Sequence, residues 1–238
     1  MKVGVTLPQF REDAGPALDS ARRAEAAGLD GVFVFDHLWP LGQPSRPALA
    51  GLPLAAAVAA GTDAMAVGTL VARVGVLPDA VLAHTLASLA RIAGPRLIAG
   101  LGVGDRHSRP ENLAYGAPFR PRAERVASLA DVCRRLRRRG VTTWVGGASE
   151  AAAAVARREA DALNLWAVAP EAVAAAAAAQ PVTWAGQVRL GDGGAERLRR
   201  TLDGVAAAGA AWAVVAPLGA PWPEALELIA AAARPLVD

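Results

Sequence analysis

Short apolar runs recur along the chain, and most are followed by a longer stretch whose apolar positions return with helical spacing. The runs are GVTLP (4–8), GVFVFDH (31–37), AVGTLV (66–71), LIAGLGVG (97–104), TTWVGG (142–147), ALNLW (162–166), PVTWAG (181–186) and WAVVAPLG (212–219). A run of this length bounded by glycine, proline or polar residues reads as a buried strand, and the longer spacing as an amphipathic helix. Eight such units predict a closed (β/α)8 TIM barrel, whose function gathers at the C-terminal mouth of the strands. A doubly wound open sheet alternates strands and helices too and is the structural alternative, but the count of eight favours the barrel. The barrel reading sets Asp36, His37, Gly104, Asp105, Gly146 and Gly147 around one cavity, although they lie far apart in the chain.

Between the strands, helices are expected through about 16–27, 53–61, 79–93, 121–138, 149–160, 170–180 and 222–233, with another in ERLRRTLDGVAAAG. Gly28 is a helix stop, and Gly94-Pro95 ends the helix before the fourth strand. Ser149 is a candidate N-cap with Glu150 in the favourable first turn, and Pro170 begins a helix rich in alanine, an excellent helix former. Residues 40–52 form a proline- and glycine-rich mouth loop, and a long polar loop runs from the end of the fourth strand to about 119. The seventh strand is the weakest assignment. No linker interrupts the pattern, so residues 1–238 are expected to form one domain, a length close to that of a single barrel.

Composition narrows the function. Hydrophobic residues make up 53% of the chain, yet the apolar stretches are broken by charge, glycine or proline, so no membrane span is expected. The opening MKVGVTLPQF enters a strand directly and lacks the regions of a signal peptide, so the expected location is cytoplasmic. Cys133 is the only cysteine, which excludes an intrachain disulfide, and its helical context marks a packed thiol rather than a nucleophile. The three histidines form no metal-binding pattern, so no metal is expected. The formal charge is +3, with basic residues clustered in RRLRRRG (134–140). With no aromatic interleaving, that cluster reads as a solvated helix end complementing the helix dipole, not as a nucleic-acid surface.

The ordered set GVTLPQF, AEAAGLDGVFVFDHLW, AVGTLV, PRLIAGLGVG, YGAPFRPRAERV, TWVGGAS and ADALNLW resembles the luciferase-like flavin and deazaflavin monooxygenase and oxidoreductase family nearly end to end. The resemblance implies a (β/α)8 barrel that binds FMN or the deazaflavin F420. DHLW, GTLV and GLGVGD look more like the F420-using branch. It therefore implies an F420-dependent oxidoreductase that moves a hydride between deazaflavin C5 and a small organic substrate, and a homodimer. The alternatives are an FMN-dependent monooxygenase and a cofactor-binding or assembly protein that has lost turnover. Family members carry extra material before the TWVGG-like strand. Here RRLRRRG connects almost immediately, which implies a more open substrate pocket or a lid from another subunit.

The candidate residues follow from both readings. Asp36 and His37 end the second strand. His37 can donate a hydrogen bond or exchange a proton, and Asp36 can orient it or the cofactor; the bland account is a strand-end turn. The DH match places both in the catalytic site. Trp39 either covers the barrel edge or, as the motif implies, forms a wall beside the cofactor. Gln9 and Phe10 follow the first strand and are either cavity or ordinary loop residues. The match also implies a non-prolyl cis peptide near Leu70-Val71, supporting the flat cofactor from behind. Gly102 and Gly104 would let backbone approach a planar ring, or simply permit a turn. Asp105 lies where the family can carry an acidic residue. A donor role there requires a raised pKa, whereas a capping role does not. Ser108, Glu111 and Asn112 share its loop. Gly146, Gly147, Ala148 and Ser149 form the anion-site candidate, with backbone amides and a helix N-terminus aimed at one loop; the resemblance assigns the cofactor phosphate to it. Arg73 either reaches the cofactor tail or faces solvent, and His84 and His107 have no partner in sequence that identifies a task.

Overall fold

The computed structural model describes residues 1–234, so the last four residues of the expected domain lie outside the described residues. The strands are β1 (Lys2–Thr6), β2 (Gly31–Val34), β3 (Ala66–Thr69), β4 (Ala72–Arg73), β5 (Leu97–Gly102), β6 (Thr142–Gly146), β7 (Ala162–Trp166), β8 (Val182–Arg189) and β9 (Trp212–Leu218). All pairings are parallel, in the order β3-β2-β1-β9-β8-β7-β6-β5, and β5 returns to β3 to close the ring. The open-sheet alternative is therefore excluded. The third position is a broken strand: β3 stops at Thr69, the Leu70-Val71 peptide is cis, and β4 resumes against Leu101 and Gly102.

The helices are α1 (Gly15–Ala26), α2 (Gly51–Ala60), α3 (Asp79–Ala93), α4 (Ser108–Ala114), α5 (Arg122–Arg137), α6 (Glu150–Glu159), α7 (Pro170–Ala177), α8 (Gly194–Ala207) and α9 (Trp222–Ala233). Their boundaries follow local chemistry. Gly28 takes φ +82° just past α1, a conformation cheap only for glycine, and Ser149 Oγ accepts the Ala152 N–H at 3.3 Å to cap α6. Two expectations fail. The loop after β5 contains α4, and the alanine helix ends at Ala177 instead of 180.

Alternation along each strand sorts side chains into two cores. Val32 and Val34 face the helices, and the intervening Phe33 points into the barrel. Phe33, Trp144 and Trp212 fill the interior, with ring centroids 5.3, 5.9 and 5.6 Å apart pairwise. Small residues make the room: a Cβ at Gly68 would stand 2.5 Å from the Phe33 ring, and one at Gly4 2.9 Å. Outside the strands, Ala17, Ala21 and Ala24 of α1 and Leu129, Val132, Cys133 and Leu136 of α5 are fully buried. Burial pushes the Cys133 thiol up to about 12, so at neutral pH it is a packed, protonated group. Among the described residues no helix is long and apolar enough to cross a membrane, and no cluster of His, Cys, Asp and Glu could hold a metal ion.

Candidate functional site

With aromatic rings filling the barrel, the C-terminal mouth opens as a cavity of about 1460 Å³. Asp36, His37, Leu70, Val71, Gly104, Asp105, Gly146, Gly147, Ala148 and Ser149 all line it. Trp39 does not: its ring tilts against Tyr115 at 5.7 Å, on the rim. The aromatic surface of the cavity comes instead from Phe10 and Phe35, stacked at 5.8 Å and 8°, from Trp166, edge-on to Phe35 at 6.0 Å, and from Trp222.

A buried charge network fixes the end of β2. Glu111, on α4, is fully buried, and its carboxylate accepts from the Leu38 N–H, the Trp39 N–H at 3.2 Å and Arg73 Nη1 at 2.7 Å. His37 Nδ1 lies 3.0 Å from Glu111 Oε2. A carboxylate there makes Nδ1 the protonated nitrogen and leaves Nε2, which has no partner among the described residues, as the free one. Burial raises the Glu111 pKa, but the His37 hydrogen bond and the Arg73 guanidinium outweigh it and hold the carboxyl below its ordinary value. Arg73 is buried rather than solvent-exposed, borders the cavity, and has its guanidinium engaged by Glu111 and the Asp36 carbonyl. Its backbone N–H donates to Asp36 Oδ2 at 2.7 Å, and Nη2 donates to the Asp36 carbonyl at 2.6 Å. For Asp36 burial wins: despite the Arg73 N–H and charge, its carboxyl is pushed up to about 6.

Asp105 behaves oppositely. Its Oδ1 accepts from the His107 N–H at 2.9 Å, the Ser108 N–H at 3.0 Å and the Ser108 hydroxyl at 3.1 Å. Burial raises its pKa, but these donors prevail and lower it, which favours the carboxylate form that caps the start of α4. Arg125 of α5 braces the same loop, donating to the Val103 carbonyl and, at 2.8 Å, to the Gly104 carbonyl.

The glycines of β5 and β6 do not open space for a ring directly. A Cβ at Gly100 would lie 2.0 Å from the Thr69 carbonyl oxygen, and Cβ atoms at Gly102 and Gly146 would lie 2.4 and 2.8 Å from Val71 methyls. They make room for the break between β3 and β4, which sets Val71 into the floor of the cavity. At the anion-site candidate the Gly147 N–H is already committed to the Asn164 carbonyl at 3.1 Å. The free donors lining the cavity are the amides of Ala148 and Ser149, which have no acceptor among the described residues. Gly147 itself is required by its φ of +137°. Gln9 is fully spent on structure: Oε1 accepts the Phe35 N–H at 2.7 Å, and Nε2 donates to the Phe35 and Leu49 carbonyls at 2.9 and 2.7 Å. His84 lies exposed on α3, and His107 stands on the cavity rim beside Arg106.

The site list drawn from sequence thus omits Glu111 as an organiser and Phe35 and Trp166 as walls. The signal for Glu111 was SRPENLA, a proline-led helical turn inside an apparent loop. For Trp166 it was the alternation in ALNLW, which turns Ala162, Asn164 and Trp166 to the same face.

The sequence model described as luciferase-like monooxygenase matches residues 1–144. The F420-dependent glucose-6-phosphate dehydrogenase of Kineococcus radiotolerans is 31% identical over 135 residues, covering 56% of this chain and 39% of its own length. This chain therefore spans about two-fifths of that relative's length. An F420-dependent secondary alcohol dehydrogenase in complex with an F420–acetone adduct is similar in structure with a TM-score of 0.80 at 14% identity, covering 98% of this chain and 99% of its own. The coenzyme F420-dependent tetrahydromethanopterin reductase of Methanopyrus kandleri has a TM-score of 0.75 at 12% identity, covering 96% of this chain and 97% of its own.

Proposed function

Because the chain belongs to the luciferase-like monooxygenase family, we propose that it is an F420-dependent oxidoreductase acting on a small organic substrate. The observation that carries this reading is His37, held through Nδ1 by a buried carboxylate with Nε2 left free in the cavity. Support for F420 over FMN comes from the F420-dependent glucose-6-phosphate dehydrogenases that match part of the chain. The residues present fit such a group: Val71 offers an apolar floor for a planar ring, and the Ala148 and Ser149 amides at the N-terminus of α6 suit a phosphate. F420 would supply the hydride chemistry at C5. His37 Nε2 would take the hydroxyl proton when an alcohol is oxidised and return it in the reverse direction. Asp36 and Glu111 would act through position, Asp36 by fixing Arg73 and Glu111 by fixing the His37 ring. Leu70, Val71, Gly104 and Asp105 would border the ring. The same reading makes residues 1–238 one catalytic domain that works as a homodimer in the cytoplasm.

Anaerobic titration of the purified protein with F420 and FMN, each in both oxidation states, tests the proposal. A saturable spectral shift with F420 that excess FMN does not displace is expected. FMN binding alone would overturn the cofactor assignment in favour of an FMN-dependent monooxygenase. F420 binding without turnover across oxidised and reduced substrate panels would make the chain a binding protein.

A further inference from the structure

The mouth of the barrel is crossed by a row of aromatic rings. In the closed strand order β2 and β7 stand on opposite sides of the ring. Phe35, at the exit of β2, and Trp166, at the end of β7, nevertheless meet edge-to-face at 6.0 Å and 73°. Phe10, after β1, extends the row by stacking on Phe35. Trp166 points inward because its register partner on β8, Ala185, belongs to the interior cluster. It still keeps 41% exposure, an apolar ring presented to the cavity. Directly behind it, Ala167 is the only non-glycine residue among those described with a positive φ, +52°. A backbone held in that region is one the surrounding structure has to enforce, a common mark of functional positions.

The row leaves Val71, Gly146 and Ser149 on its β4/β5/β6 flank, and Pro217, Leu218 and Trp222 of the cavity lining on the β8/β9 flank. At about 1460 Å³ the whole cavity exceeds the roughly 300–1,000 Å³ of pockets that hold one small ligand, so it has room for two. Two cations of the cavity lining, Arg11 and Arg46, lie in loops at the Phe10 end of the row. Arg11 follows Phe10, and Arg46 lies in the loop that Gln9 clamps against the exit of β1, with the Leu49 N–H donating to the Gln9 carbonyl at 3.0 Å. Neither makes an ion pair among the described residues, and Arg46 Nη1 donates to Gln43 Oε1 at 3.0 Å. The acids of the cavity, Asp36 and Asp105, are engaged elsewhere, with Arg73 and with Ser108.

We propose that the organic reaction partner binds along the Phe10, Trp166 and Trp222 edge of the aromatic row, next to the flank of Val71 and His37 and not walled off from it, and that it is an anion with a planar apolar body whose acid group is taken by Arg11 and Arg46. This rests on the reading that the Val71 flank holds the cofactor. Stacking on exposed rings and charge-assisted hydrogen bonds from guanidinium are the two interactions the site offers.

Calorimetric titration with 2-naphthoate and with its neutral counterpart 2-naphthylmethanol tests the assignment, on the wild type, on the Arg11→Gln/Arg46→Gln double variant and on Trp166→Leu. The wild type should bind the acid about tenfold more tightly than the alcohol. The double variant, altered only at exposed positions, should bring the two within about threefold, and Trp166→Leu should weaken both about tenfold. F420 affinity should be unchanged in all variants, and saturating F420 should leave naphthoate binding intact. The proposal is overturned if the acid is not preferred, if its preference survives loss of both arginines, or if F420 displaces it. Absence of F420 binding with the naphthoate pattern intact overturns the cofactor reading alone, whereas loss of the pattern with F420 bound overturns the proposed site.

Discussion

Three carboxyl groups meet at the barrel mouth, and their surroundings give them different work. Asp105 is tied to three donors of its own loop, while Glu111 faces His37 and Arg73. His37→Ala should therefore lower the single-turnover hydride-transfer rate by about 10²–10⁴-fold, the range for general acid–base groups, with F420 affinity nearly unchanged. Asp105→Asn should cost ~1 kcal/mol of stability as a lost cap and leave that rate within a few-fold. Rapid-reaction kinetics at saturating cofactor, paired with denaturant melts, separates the two. Asp36 makes a pH prediction. Its pKa rises from 3.8 to about 6 on folding, so the folded state binds the proton more tightly than the unfolded chain. That contribution is fully present below pH ~3.8 and is lost as pH rises through about 6, at up to ~1.4 kcal/mol per pH unit. The stability of Asp36→Asn relative to wild type should accordingly increase between pH 4 and 6. Parallel melting curves across that interval would sink the assignment.

At the scale of elements, the broken third strand and the glycines facing it form one packing unit. A Cβ at position 100 would meet the Thr69 carbonyl, which belongs to the backbone and cannot rotate away. Gly100→Ala should cost about 3 kcal/mol or more. A Cβ at position 102 would meet a Val71 methyl, which can be removed. Gly102→Ala should thus cost about 1–3 kcal/mol, and Val71→Ala should recover at least ~1 kcal/mol of it in a double-mutant cycle followed by urea unfolding. Such couplings mark the limit of what the sequence discloses. Runs such as ALNLW, and helices bounded by a serine cap, a proline start or a glycine stop, announce themselves because their signals are local. α3 (79–93) and α9 (222–233) lie where helical spacing put them. The engagement of the Gly147 amide by Asn164, the burial of Arg73 and the turning away of Trp39 toward Tyr115 are decided by partners tens of residues distant. Ten of the eleven site positions named from sequence still reach the cavity, since the end of a barrel strand is itself a local address.

For the whole molecule, a ligand that binds only the folded barrel must raise its melting temperature. F420 at a hundred times its Kd should add about 2.7 kcal/mol, which for a chain of this size is an upward shift of about 5–10 °C. FMN at the same concentration should move the transition less, and differential scanning calorimetry reads both directly. The placement of the six tryptophans also gives the protein optical properties. Trp144 and Trp212 sit in the ring stack inside the barrel, and Trp184 is buried beneath the helices, its Nε1–H donating to the Val168 carbonyl at 3.0 Å. Trp166 is the most exposed tryptophan of the cavity mouth, where the half-buried Trp222 also contributes to the wall. Excited in the near ultraviolet, the interior rings should emit toward the blue and resist quenching by iodide, and Trp166 should emit toward the red and be quenched readily. The red edge of the emission spectrum is thus expected to follow events at the mouth, and the blue edge the integrity of the barrel beneath it.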